Sequence, residues 1–173
     1  MNRLHVLSGL PGYLLVGLLV GSVLTGVILA YGLGLISMSS NREDIHFHNI
    51  LNGTGTDGFG FGQPANFVLN DEGNWSRVYS QAFGYACSNP CIPPFVNFTS
   101  RTVIAVFLGH TPDGYRVRID SVTKSGLGLA VNFEVLEPTC QVPIMATYPF
   151  DIVDVPKTNL HVSFVTHNGT EKC

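Results

Sequence analysis

The sequence predicts an α+β protein: a single amino-terminal transmembrane helix followed by a small, mainly antiparallel β domain with one packed helix. Three observations carry that prediction. No Lys, Arg, Asp or Glu occurs from Val6 to Asn41. Trp75, Val78, Tyr79, Ala82 and Phe83 recur at helical spacing. Beyond Asn97 the apolar residues alternate with polar ones or form short continuous runs, the pattern of strands.

The uncharged stretch exceeds the roughly 20 apolar residues that cross a bilayer as a helix. Tyr13 and Tyr31 bracket its most apolar part, about 27 Å apart along a helix, and tyrosines suit membrane interfaces. The expected layout is a cytoplasmic tail at 1–9, a transmembrane helix at 10–38, a Gly-rich extracellular linker at 39–64 and an extracellular β domain at 65–173. Arg3 precedes the span, whereas Arg42 is followed at once by Glu43 and Asp44, which favours an inner amino terminus. A cleaved signal peptide competes with an uncleaved signal anchor. Its cleavage sites are poor, because Ile28-Leu29-Ala30 has a bulky residue where a small one is required and Ser37-Met38-Ser39 lies far downstream. Gly17 and Gly21 form a GxxxG pair suited to helix packing, although glycine is common in membrane helices generally. The expected location is the cell membrane, single pass, with the carboxy-terminal domain outside.

After Ser39, eight Lys and Arg face twelve Asp and Glu, without a basic cluster. Nucleic acid is thereby disfavoured as a partner, since phosphate neutralisation requires concentrated positive charge. Four Asn-x-Ser/Thr triplets, at Asn52, Asn74, Asn97 and Asn168, predict glycosylation. The four cysteines, Cys87, Cys91, Cys140 and Cys173, predict two disulfides with three possible pairings. The preferred pairing joins Cys87 to Cys91 and Cys140 to Cys173; a zinc site is the rival, but the Cys-x3-Cys half lacks a second half.

From Asn49 to Gln63 the chain is rich in Gly, Thr and Asn, the composition of a tether. Phe59 and Phe61 are aromatic exceptions that either dock on the domain or let the segment pair as an edge strand, including with another subunit. Asn66 to Leu69 reads as a short strand, and Asn70 or Asp71 offers an N-cap to the Trp-bearing helix, which should stop near Gly84. Thr102 to Leu108 reads as a central strand. Pro112-Asp113-Gly114 supplies a turn before Tyr115, Val117 and Ile119, which alternate with Arg116, Arg118 and Asp120. Leu127 to Val135, Phe150 to Val155 and Leu160 to Val165 complete the strands.

Several of these segments together resemble the carboxy-terminal domain of the PrcB family of protease complex subunits. They are Pro93-Pro94-Phe95-Val96-Asn97-Phe98-Thr99, Thr102-Val103-Ile104-Ala105-Val106-Phe107-Leu108-Gly109, Gly114-Tyr115 leading an alternating strand, and Thr147-Tyr148-Pro149-Phe150-Asp151-Ile152-Val153 followed by Val155-Pro156-Lys157. The resemblance spans roughly Asn66 to Phe164. It implies an extracytoplasmic β domain associated with a protease, and no catalysis. Two features depart from the family pattern: no cysteine precedes Cys87 for a lipid anchor, and Glu137-Pro138-Thr139 replaces a glycine-rich approach to Cys140.

Chemistry is sparse by comparison. Gly-x-Ser-x-Gly, His-Glu-x-x-His and Walker-type motifs are absent from the sequence, so no catalytic residue, metal ligand or cofactor is assigned. His46 and His48 would share a face of an extended segment near Glu43 and Asp44, but an incomplete ligand set favours ordinary solvated roles. His110, His161 and His167 are scattered. Asp151 and Asp154 fall on opposite strand faces, against a paired-carboxylate site. Arg116 and Arg118 share a face, where a solvated edge competes with a partner-binding surface. The expected function is a membrane-anchored, glycosylated, non-catalytic binding domain, an accessory subunit of a surface or secreted protease complex. Partner binding would fall to Arg116, Arg118, Phe59 and Phe61. The alternative is a structural subunit of a surface filament, with Thr54 to Gln63 inserted as a strand into a neighbour.

Overall fold

The computed structural model describes residues 42–56, 60–87, 90–126, 128–143 and 145–172. The described elements are β1 (Arg42–Asp44), β2 (His48–Gly55), β3 (Ala65–Leu69), α1 (Glu72–Phe83), β4 (Arg101–Phe107), β5 (Thr111–Pro112), β6 (Arg116–Ser125), β7 (Gly128–Pro138), β8 (Ala146–Pro156) and β9 (His161–Glu171).

Alternation within β4 and β8 creates three layers. Val103, Ala105 and Phe107 of β4, with Phe150 and Ile152 of β8, face α1 and pack with Trp75, Val78, Ala82 and Phe83. The intervening Ile104, Val106, Val153 and Val155 face the opposite way, onto Val117, Ile119, Val122, Leu129, Val131 and Phe133 of β6 and β7. The central sheet is therefore buried on both faces, which explains the nearly continuous apolar run in β4. Its order is β2-β8-β4-β3, all antiparallel, with β5 also pairing β8. The outer sheet has the order β1-β6-β7-β9.

Helix α1 starts where Asp71, in an extended conformation, accepts the Asn74 backbone N–H at 2.8 Å. That bond satisfies one of the amides that a first helical turn leaves unpaired. Trp75 is fully buried, its ring edge-on to Tyr79, and its Nε1–H donates to the Pro94 carbonyl at 3.0 Å. The helix thereby holds the segment that follows the Cys87–Cys91 disulfide.

The expected fold class is corrected by this architecture. The protein is a mainly β fold of two stacked sheets, and its one described helix is a 12-residue cover on the central sheet. Among the described residues no helix is long and apolar enough to cross a membrane, whereas α1 carries one apolar face and one wet face. The expected tail at 1–9 and transmembrane helix at 10–38 lie outside the described residues. The expected location, a single-pass membrane protein with an outer domain, is corrected likewise, since no helix among the described residues can span a membrane.

Two further differences have physical causes. Residues 42–44 and 48–55, which fall within the expected linker, are strands, because β1 pairs with an edge of β6 and β2 with an edge of β8. Strand β9 runs parallel to β7, since the chain leaves the outer sheet for β8 in the central one and returns on the same side.

Candidate binding surfaces

The structure distributes the sequence-nominated residues over three places. Phe61 is partly buried, with its ring centroid 5.0 Å from that of Phe67 and 4.8 Å from that of Phe107, and the Gly60 N–H donates to the Ala82 carbonyl. The segment after β2 is thus folded back on its own core, and Thr54 and Gly55 already pair with Pro149 and Tyr148. Phe59 lies outside the described residues. Cys140 is disulfide-bonded, and its expected partner Cys173 also lies outside them. Asn52, Asn74, Asn97 and Asn168 are all exposed.

Arg116 and Arg118 both point outward from β6 but have different surroundings. Arg116 donates to its neighbour's carbonyl at Tyr115 and lines a groove with Asp113, Pro138 and Glu171. Arg118 donates from Nε to Asp120 Oδ1 at 2.8 Å and from its terminal nitrogen to Glu134 Oε2 at 2.6 Å. These bonds, Asp120 first, hold the guanidinium pKa above its ordinary value. His167 on β9 completes the group, with Nε2 2.9 Å from Asp120 Oδ2.

On the other face of the molecule, His48, Arg101 and Asp154 meet at one end of the central sheet. Arg101 binds the Asp154 carboxylate and carbonyl, and His48 Nδ1 lies 3.1 Å from the same carboxylate. His46 stands edge-on to His48, their rings 4.9 Å apart. The pairing of β2 with β8 places His48 beside Asp154, a juxtaposition across 106 positions that local spacing does not encode.

Asp151 is buried between the sheets. Its carboxylate accepts the Ile119 backbone N–H at 2.7 Å and the Asn49 side-chain amide at 2.8 Å. Burial dominates and raises its pKa, against the lowering effect of those bonds.

An apolar surface lies beside the disulfide. Tyr85, Ile92 and Phe95 are 89%, 76% and 93% exposed, unusual for side chains of this size. Ile92 and Phe95 line a groove of about 330 Å³ together with Trp75, Pro93, Pro94, Val96 and Phe98. Of these, Pro93, Pro94, Phe95, Val96 and Phe98 stand in the first segment of the family resemblance.

The two stacked sheets, the helix that covers one of them and the exposed Ile92 and Phe95 belong to one small β domain. The family model described as PrcB C-terminal matches residues 102–156, from β4 to the end of β8. This is the family that the sequence resembles. No curated protein and no solved structure matches the chain.

Proposed function

We propose that this chain is a non-catalytic accessory subunit that holds or stabilises a protease. The observation that carries this reading is the PrcB C-terminal match over 102–156, which spans most of the two-sheet core. The exposed Ile92 and Phe95 support it, because large apolar side chains around a groove are typical of protein-docking surfaces. Cys87–Cys91 and the Trp75 to Pro94 hydrogen bond hold this surface in shape before any partner arrives, which lowers the entropy lost on docking. The exposed asparagines of the four triplets are proposed as glycan acceptors, checked by intact mass before and after glycosidase.

Affinity purification of the native protein tests the main reading, in parallel with a Phe95→Ser/Ile92→Ser variant. A protease should copurify with the native chain and be lost with the variant. If no protease copurifies with the native protein, the accessory-subunit reading fails.

A further inference from the structure

The outer face of the β6-β7-β9 sheet gathers one imidazole and two carboxylates from three strands. We propose that Asp120, Glu134 and His167 form a binding site for a divalent transition-metal ion of the Zn²⁺ class.

Register brings the group together. Glu134 stands opposite Arg118 in the antiparallel β6–β7 pair and opposite His167 in the parallel β7–β9 pair. A β-bulge between Ile119 and Ser121 leaves Asp120 without a partner on β7, and its carboxylate joins the same outer face. One ligand atom from each of the three side chains lies within 4.8 Å of the others.

The distances are close to those a metal needs. With bonds of about 2.1 Å, two tetrahedral ligands stand about 3.4 Å apart; His167 Nε2 lies 2.9 Å from Asp120 Oδ2, so opening that pair by about half an ångström admits the ion. Arg118 occupies Asp120 Oδ1 and Glu134 Oε2, so it orients both carboxylates through the oxygens that the ion would not use. Glu134 Oε1 lies over Gly169 of β9, where a Cβ would overlap it. The bare glycine is therefore what lets this carboxylate lie toward the strand that carries His167. With His167 neutral, two carboxylates and one guanidinium leave a net negative charge that favours a cation. The mixed imidazole and carboxylate set suits zinc and its neighbours better than calcium or magnesium, which prefer oxygen ligands throughout. Asp120 also lines a groove of about 320 Å³ with Asp44 and His46, which keeps its side of the cluster open to solvent.

The test is calorimetric titration of the purified full-length chain with zinc chloride, with the His167 ring followed by NMR. One equivalent should bind and shift the His167 resonances. His167→Ala and Asp120→Asn should each weaken binding by about 10- to 100-fold or more, while His48→Ala leaves it unchanged. Unaltered zinc affinity in either site variant overturns the proposal, and so does a native protein that binds no zinc or whose His167 signals stay still on saturation.

Discussion

The backbone N–H of Ile119 donates to Oδ2 of Asp151 across 2.7 Å, joining the outer sheet to the central one at a buried carboxylate. Register shifts occur in the two strands that supply its donors, between Asn49 and Leu51 in β2 and between Ile119 and Ser121 in β6. Such irregularities turn backbone and side-chain groups out of the regular ladder, and here they aim two donors at one carboxylate.

Asp151→Ala should therefore lower stability by about 1–3 kcal/mol, because it strands the buried Ile119 N–H, an unpaired donor costing about that much, while the exposed Asn49 amide can turn to water. Urea denaturation followed by circular dichroism measures this. A loss below about 0.5 kcal/mol, the range of neutral surface changes, would show that the inter-sheet bonds carry no net stability.

The same carboxylate predicts an unusual pH dependence. Burial raises its pKa above the ordinary 3.8, so the folded protein still holds the proton at pH values where the unfolded chain has lost it. Its contribution is largest below 3.8 and is lost as pH rises through the folded value. Asp71 has the opposite sign: the Asn74 backbone N–H lowers its pKa, so its contribution is present above 3.8 and is lost as pH falls through the folded value. Stability of Asp151→Asn relative to the native chain should rise with pH across the acidic window, and Asp71→Asn should show the reverse trend. Parallel curves for all three proteins would contradict both assignments.

Trp75 is the single tryptophan of the chain, and it is 1% exposed. Trp75→Ala should cost about 3–5 kcal/mol through the cavity it leaves. Trp75→Phe should cost less, retaining much of the apolar contact while giving up the hydrogen bond to Pro94, worth about 1 kcal/mol. In the native protein, emission of this residue should be blue-shifted and should move to the red in one step with urea. An unfolded-like emission maximum at zero denaturant would place the ring in water.

Gly109 has φ +75°, and a Cβ there would meet the backbone of Gln63 and Pro64 at 2.6–2.9 Å. Gly109→Ala combines a left-handed conformation costing about 1–2 kcal/mol with that collision, so the melting temperature should fall by several degrees. By contrast, Gly62→Ala meets nothing within 4 Å and should leave it nearly unchanged. Equal melting temperatures for the two variants would contradict the close approach at Gly109.

The sequence by itself determined what depends on near neighbours. Trp75, Val78, Ala82 and Phe83 recur at helical spacing and form the buried stripe of α1; Asp71 caps it, and it ends at Phe83 beside Gly84. Alternation in Val117 and Ile119 against Arg116 and Arg118 reads out the two faces of β6 directly, because a strand's side-chain period is two. The PrcB resemblance was legible for the same reason, since its segments are contiguous runs. Tertiary structure decided what depends on pairing. Composition made Asn49 to Gln63 look like tether, yet 49–55 are strand because β8 offers an edge. Nor does His167 hold any local sign of Glu134; the return of β9 parallel to β7 sets them side by side. Asp151 and Ile119 meet only because two irregular strands face one buried carboxylate, and such long-range geometry is fixed by how the layers stack rather than by the spacing of residues along the chain.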